Sequence, residues 1–120
     1  MKILIVEDDE FSSVVLKDLI EILYPGVKVY KAENGKEALE MVKKESFDLI
    51  FSDVRMPVMD GYAFIKEFKK HFKTPVIAVT AFAIKGDKEK ILSSGFDGYI
   101  SKPIDIDELK KTINKFLEKK

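Results

Sequence analysis

Residues 47–61, FDLIFSDVRMPVMDG, form the stretch that decides the fold. Residues 48–52 are mostly apolar, which predicts a short buried strand that ends at Asp53. A loop containing Pro57 follows, and a new helix is predicted to begin at Gly61. An unpaired carboxylate at the end of a buried strand costs on the order of several kcal/mol, because it has to leave water. Asp53 is therefore the first candidate for a functional residue.

Similar units flank this stretch along the chain. Short apolar runs predict strands at residues 3–6, 27–30, 48–52, 76–79 and 99–101. Helical periodicity predicts helices at about residues 10–23, 35–45, 61–72, 85–94 and 106–117. Strict alternation of strands and helices is typical of the α/β class. The sequence therefore predicts a doubly wound, five-stranded parallel sheet with helices on both faces.

Local signals define several of these helices. Asn34 with Glu37, and Asp105 with Glu108, have the spacing of capping boxes at helix starts. The third helix is predicted to bury one apolar face, made of Tyr62, Phe64, Ile65, Phe68 and Phe72. The inner face of the last helix is predicted to consist of Ile106, Leu109, Ile113, Phe116 and Leu117. The fourth helix is only weakly amphipathic and is the least well defined.

Composition limits the functions that the chain can have. Its 120 residues suffice for one domain, so residues 1–120 are expected to form a single unit. The 21 basic residues balance the 21 acidic ones, which disfavours direct binding to nucleic acid or to a membrane. The absence of cysteine excludes a disulfide framework and a thiolate zinc site. Apolar runs are too short for a signal peptide or a membrane span, so we expect a soluble cytoplasmic protein.

Polar side chains follow four of the five predicted strands. Glu7, Asp8 and Asp9 follow the first strand, Asp53 the third, Thr80 and Ala81 the fourth, and Lys102 the fifth. The carboxyl ends of parallel strands meet at one edge of the sheet, which is where open α/β sheets bind ligands. We therefore expect these residues to form one site.

A hard divalent cation fits this set of residues. Clustered carboxylates raise one another's pKa values, and a bound cation relieves that conflict. Mg²⁺, or Mn²⁺ in its place, is expected to bind Asp8, Asp53 and the backbone carbonyl of Arg55. Glu7 is expected to contribute through water, whereas Asp9 is expected to cap the first helix and to lie outside the metal site.

The same residues suit phosphoryl transfer, which requires mainly positioning and charge neutralisation. The cation would contact one phosphoryl oxygen, the Lys102 ammonium a second, and the Thr80 hydroxyl with the Ala81 amide a third. Asp53 is then the candidate nucleophile, since carboxylates form aspartyl-phosphate intermediates.

The complete pattern resembles the receiver domain of bacterial response regulators. Its signals are an acidic pair, an Asp followed by x-x-x-P-x-x-[DN]-G, a Thr-Ala and a Lys-Pro, each next to the appropriate strand. The resemblance spans the chain and implies a flavodoxin-like fold with strand order 2-1-3-4-5. It implies a single receiver domain whose Asp53 accepts a phosphoryl group from a sensor histidine kinase or a histidine phosphotransfer protein. It also implies a cis peptide bond between Lys102 and Pro103.

The resemblance further implies an output switch. Thr80 would turn towards the phosphoryl group, and Tyr99 would rotate into the space that Thr80 leaves. This rotation would change the face formed by the fourth helix, fifth strand and fifth helix, which a downstream protein would bind. We expect a monomer, with dimerisation on phosphorylation as an alternative.

Three residues depart from the usual pattern. Val58 stands where many receiver domains have glycine. Arg55 and Phe82 lie two residues after Asp53 and Thr80, respectively, where side chains influence access of the hydrolytic water. Both are large, so we predict slow self-dephosphorylation.

Two other functions share parts of this pattern. A Mg²⁺-dependent phosphatase with an aspartyl-phosphate intermediate would have a second acid where this chain has Arg55. An FMN-binding flavodoxin would need a Ser/Thr/Gly-rich phosphate loop after the first strand, where this chain has three acids that would repel a phosphate. Neither alternative fits as well as a receiver domain.

Overall fold

The computed structural model describes residues 1–81 and 85–117, with the side chains of Lys85 and Gly86 excepted. Its strands are β1 (Lys2–Val6), β2 (Lys28–Ala32), β3 (Leu49–Ser52), β4 (Val76–Thr80) and β5 (Gly98–Ser101). Its helices are α1 (Glu10–Leu23), α2 (Gly35–Lys44), α3 (Gly61–Phe68), α4 (Lys85–Ser93) and α5 (Ile106–Leu117). In these ranges, none of the helices combines the length and hydrophobicity needed to cross a bilayer.

The sheet has the predicted topology. All strand pairs are parallel, and the order is β2-β1-β3-β4-β5. Strand boundaries agree with the prediction to within two residues. The largest shift is in β2, which extends to Ala32 because Ala32 pairs with Val6 at the end of β1. The register also pairs Val6 with Ser52, so Glu7 and Asp53 leave neighbouring strands side by side.

Two cores lie on opposite faces of the sheet, because side chains alternate along each strand. Leu4 and Val6 of β1 point into the core that α2, α3 and α4 cover. Ile3 and Ile5 point into the core that α1 and α5 cover. Strands buried on both faces explain the continuous apolar runs in the sequence.

The third and fifth helices differ from the prediction. α3 ends at Phe68 and not at Phe72, because the amides of Lys70 and His71 donate to carbonyls three residues back, as in a turn, and not four residues back, as in an α-helix. Phe72 still stacks on Phe68 with ring centroids 5.0 Å apart, so the apolar spacing continues beyond the helix. Ile106, the first residue of α5, is 48% exposed and does not belong to the inner face, whereas Leu109 and Ile113 are fully buried and Phe116 and Leu117 pack against the same core, as predicted.

Local details at the helix starts follow the sequence closely. Asp9 accepts a hydrogen bond from Ser12 N–H at 2.9 Å and caps α1, as predicted. Asn34 likewise accepts from Glu37 N–H at 2.8 Å and caps α2. The peptide bond between Lys102 and Pro103 is cis, which confirms the prediction.

Gly61 lets α3 begin directly against the end of β3. A Cβ atom at this position would lie 2.3 Å from the Asp53 carbonyl oxygen and 2.8 Å from Val54 Cα, both of which are backbone atoms. Gly61 N–H also donates to the Val54 carbonyl at 2.8 Å. The close approach therefore fixes the backbone that presents Asp53.

Gly61→Ala is expected to lower the free energy of unfolding by about 1–3 kcal/mol, because the new methyl group overpacks a rigid backbone contact. Urea denaturation measures the loss. Gly98→Ala is the matched control, because a Cβ there would meet the flexible end of Ile77 at 3.3 Å and the Phe116 ring at an ordinary contact distance of 3.8 Å. Equal stability of the two variants would contradict this interpretation of Gly61.

Candidate functional site

Asp53 lies at the end of β3 and is only 9% exposed. Its Oδ1 accepts a hydrogen bond from Val54 N–H at 2.6 Å and a longer one from Arg55 N–H at 3.4 Å. The Asp53 amide in turn donates to the Val6 carbonyl at 2.9 Å. The backbone thus holds one carboxylate oxygen in place, and the other is oriented by a side chain from β5.

That side chain belongs to Lys102, which follows β5. Its Nζ donates to Asp53 Oδ2 at 3.2 Å and to both carboxylate oxygens of Glu7 at 3.2 Å. The Lys102 amide donates to the Thr80 carbonyl at 2.9 Å, which fixes the start of the loop. Lys102 therefore joins acidic residues that lie 95 and 49 positions away in the sequence.

Three carboxylates form the acidic side of the site. Glu7, Asp8 and Asp53 each place a carboxylate oxygen within 4.8 Å of the others. Glu7 and Asp53 are buried, whereas Asp8 is exposed at the rim. Asp9 lies outside this group, and its amide donates to Glu7 Oε1 at 3.3 Å.

Burial and the neighbouring charges both shift the pKa values of Glu7 and Lys102. Desolvation, with the adjacent Asp53 carboxylate as the next cause, raises the pKa of Glu7 to about 8, although Lys102 opposes this change. Burial of Lys102 by itself would lower its pKa, but the carboxylates of Asp53 and Glu7 outweigh burial and raise it. The lysine therefore stays cationic, yet one positive charge does not fully relieve the repulsion between the acids.

The donor atoms fit a hard divalent cation. Mg²⁺ binds carboxylate and carbonyl oxygens and keeps several waters, and a site with an exposed member such as Asp8 leaves room for them. The three side chains of this group are all carboxylates, and the sequence contains no cysteine that could supply a thiolate. The residues present thus fit the ion that the sequence predicts.

The remaining predicted residues, except Phe82, belong to or follow the strands β3, β4 and β5. Thr80 is fully buried at the end of β4, and Ala81 follows it at the surface. Tyr99 is half-buried and pairs with Ala78 across β4 and β5. Arg55 is exposed in the loop after β3, and Phe82 lies outside the described residues.

Sequence reasoning missed an apolar groove of about 390 Å³ beside Lys102. It is lined by Phe11, Ser12, Val15, Ala81, Lys102, Pro103 and Ile104. Phe11 is the residue that misled the prediction. It follows the helical spacing of the apolar residues of α1, which predicts burial, but it is 76% exposed. Val58, which stands in a position often occupied by glycine, adopts a φ of 69°. That left-handed conformation explains why glycine suits this position.

Comparisons with known proteins agree with this geometry. Residues 3–114 match the family model described as "Response regulator receiver domain". The polar-differentiation response regulator DivK of Brucella anthropi is 40% identical, over 96% of this chain and 94% of its own length. Hybrid signal transduction histidine kinase G of Dictyostelium discoideum is 37% identical over 97% of this chain, which spans only 4% of that protein.

Two solved structures extend the comparison. The receiver domain of sensor histidine kinase PA1611 from Pseudomonas aeruginosa, with a magnesium ion coordinated in its active site cleft, has a TM-score of 0.88 at 31% identity and covers 98% of this chain and 97% of that one. The receiver domain of Ssk1 from Saccharomyces cerevisiae, crystallised with the histidine phosphotransfer protein Ypd1, has a TM-score of 0.85 at 29% identity, with coverage of 97% and 88%. The present chain therefore belongs to the response regulator receiver domain family of two-component signal transduction.

Proposed function

We propose that Asp53 is the phosphoacceptor of this receiver domain and that its donor is a phosphohistidine on a sensor histidine kinase or a histidine phosphotransfer protein. The observation that supports this most strongly is the contact between Lys102 Nζ and Asp53 Oδ2 at 3.2 Å, beside Glu7 and Asp8. A nucleophilic carboxylate next to a fixed cation is what phosphoryl transfer requires. The receiver domain family has this signalling role, and the same geometry accounts for it chemically.

In the transfer step, an Asp53 carboxylate oxygen bonds to phosphorus while the phosphorus–nitrogen bond of the donor breaks. The donor's histidine nitrogen leaves with the electron pair of that bond. Lys102, whose raised pKa keeps it positive, would contact one phosphoryl oxygen. The Thr80 hydroxyl and the Ala81 amide would contact another. The product is an acyl phosphate, which water can hydrolyse, so the signal is reversible.

The acidic residues would hold the metal ion. Asp8, Asp53 and the backbone carbonyl of Arg55 would be direct ligands, and Glu7 would act through water. When bound, Mg²⁺ supplies positive charge against the phosphoryl oxygens. Mn²⁺ uses similar oxygen ligands, and we propose it as a substitute.

A protein donor suits the surroundings of Asp53. The side chain is buried except for 9% of the residue's surface, so a donor has to reach it from the rim of the site. The apolar groove next to Lys102, with Phe11 exposed at its edge, offers such a donor an area of contact. A small phosphate ester would make little use of this surface.

The output would depend on Thr80 and Tyr99. Tyr99 pairs with Ala78, and Thr80 lies two residues further along β4, so both side chains project from the same face of the sheet. If Thr80 turns towards the phosphoryl group, Tyr99 can rotate into the space that it leaves. The face of α4, β5 and α5 would then change shape for a downstream partner. That the protein is a cytoplasmic monomer, with residues 1–120 as one domain, stays a prediction.

Incubation with acetyl phosphate and Mg²⁺ is expected to add one phosphoryl group to the wild-type chain, as measured by intact mass. Asp53→Asn should abolish the label, because an amide is not a competent nucleophile. Asp60→Asn is the matched control and should be labelled normally, since Asp60 only caps α3 through Ala63 N–H and asparagine caps equally well. A label that survives Asp53→Asn would contradict the proposal. Repeated release of inorganic phosphate from small esters would favour the phosphatase alternative.

Arg55→Ala is expected to speed the loss of the phosphoryl group several-fold, because a long exposed side chain near Asp53 would otherwise obstruct the attacking water. The decay of the labelled mass with time measures this rate. Lys36→Ala, an exposed change at the start of α2, is the control and should decay like the wild type. Wild-type label lost within seconds would contradict the predicted slow hydrolysis.

A further inference from the structure

α4 is attached to the rest of the domain by few apolar contacts. Among its described side chains, residues 87–93, only Ile91 is buried, and Leu92 is 48% exposed. A helix normally gains most of its stability from a packed apolar face. Other contacts must therefore help to hold α4 in position.

Two lysines of α4 lie over aromatic rings of neighbouring elements. Lys88 Nζ is 5.4 Å from the centre of the Tyr99 ring on β5. Lys90 Nζ is 4.6 Å from the centre of the Tyr62 ring on α3. Residues two apart point to different sides of a helix, so the two lysines reach opposite neighbours. Both distances are within the range of a cation–π interaction.

A small cavity of about 40 Å³ lies beneath α4. Its walls include Thr80, Tyr62, Lys90 and Ile91. The space is large enough to hold at least one water molecule, for which roughly 10–15 Å³ suffices. α4 therefore leaves space next to Thr80 at the end of β4, and Lys90 and Tyr62 both border that space.

We propose that Lys88 and Lys90 are positioning residues that hold α4 against Tyr99 and Tyr62, and that Lys88 makes the position of α4 depend on the orientation of Tyr99. The second half rests on the proposed function, because it uses the rotation of Tyr99. The Tyr99 ring is half-buried beneath Lys88. Rotation into the sheet face beside Thr80 would carry the ring away from the ammonium group. Of the contacts described here for residues 87–93, those of Lys90 with Tyr62 and of Ile91 with the core would remain.

Hydrogen exchange of the α4 amides tests both halves. At a half-exposed site, a cation–π contact changes an equilibrium by roughly two- to five-fold. Without phosphorylation, Lys88→Met is expected to speed exchange in α4 by about that factor, whereas Lys88→Arg should not. Lys111→Met is the matched control for charge, because Lys111 is an exposed lysine of α5, and it should leave α4 unchanged.

After treatment with acetyl phosphate and Mg²⁺, exchange in wild-type α4 should rise to the level of Lys88→Met, so that the difference between them disappears. Lys90→Met should speed exchange in both states, since Tyr62 lies on α3, outside the face of α4, β5 and α5 that the switch would change. Equal exchange of Lys88→Met and Lys111→Met before treatment would overturn the anchoring role. If the exchange rates of wild type and Lys88→Met still differ to the same extent in labelled protein, the link to Tyr99 would be overturned.

If intact mass shows no label on the wild type, the proposed function and the link to Tyr99 fail together, while the untreated samples still decide the anchoring role.

Discussion

Repulsion between carboxylates that the fold places side by side is the constraint on which the site depends. Val6 pairs with Ser52, so Glu7 and Asp53 leave adjacent parallel strands together, and both are buried. Lys102 lies 3.2 Å from each and compensates for part of the negative charge. Burial and the adjacent Asp53 raise the pKa of Glu7 to about 8, against the opposing effect of the Lys102 ammonium group. A divalent cation, or the proton that takes its place, completes the balance.

The same edge of the sheet connects this chemistry to the surface. Thr80 ends β4 next to the site, and its carbonyl accepts the amide of Lys102, so the loops after β4 and β5 are joined. α4 lies above Thr80 with a small cavity beneath it and with Lys88 resting on Tyr99. A hydrogen-bonded charged centre thus adjoins a helix in which Ile91 is the one buried side chain among residues 87–93. Such a combination allows a local change of charge to alter a distant surface.

Much of this arrangement could be predicted from the sequence, because alternating strands and helices dictate a parallel sheet and a shared carboxyl edge. That rule brought Glu7, Asp8, Asp53 and Lys102 together correctly, whereas the strand order came from the family resemblance. The end of α3 was missed because Phe72 keeps the helical spacing while it packs from a turn. The contacts of Lys88 and Lys90 with aromatic rings were missed for another reason. They depend on how side chains from separate elements meet in space, and a periodic pattern along the sequence does not reveal such contacts.

Calorimetric titration with Mg²⁺ between pH 6 and pH 9 tests the central claim most directly. The folded pKa of Glu7, about 8, lies above its ordinary value of 4.5, so the metal-free folded protein retains a proton that the unfolded chain has lost in this range. Mg²⁺ has to displace that proton, so its affinity should rise with pH by up to about tenfold per unit and level off above about pH 8. Glu7→Gln should flatten the profile. Wild-type affinity that is independent of pH, or that falls as pH rises, would contradict the account.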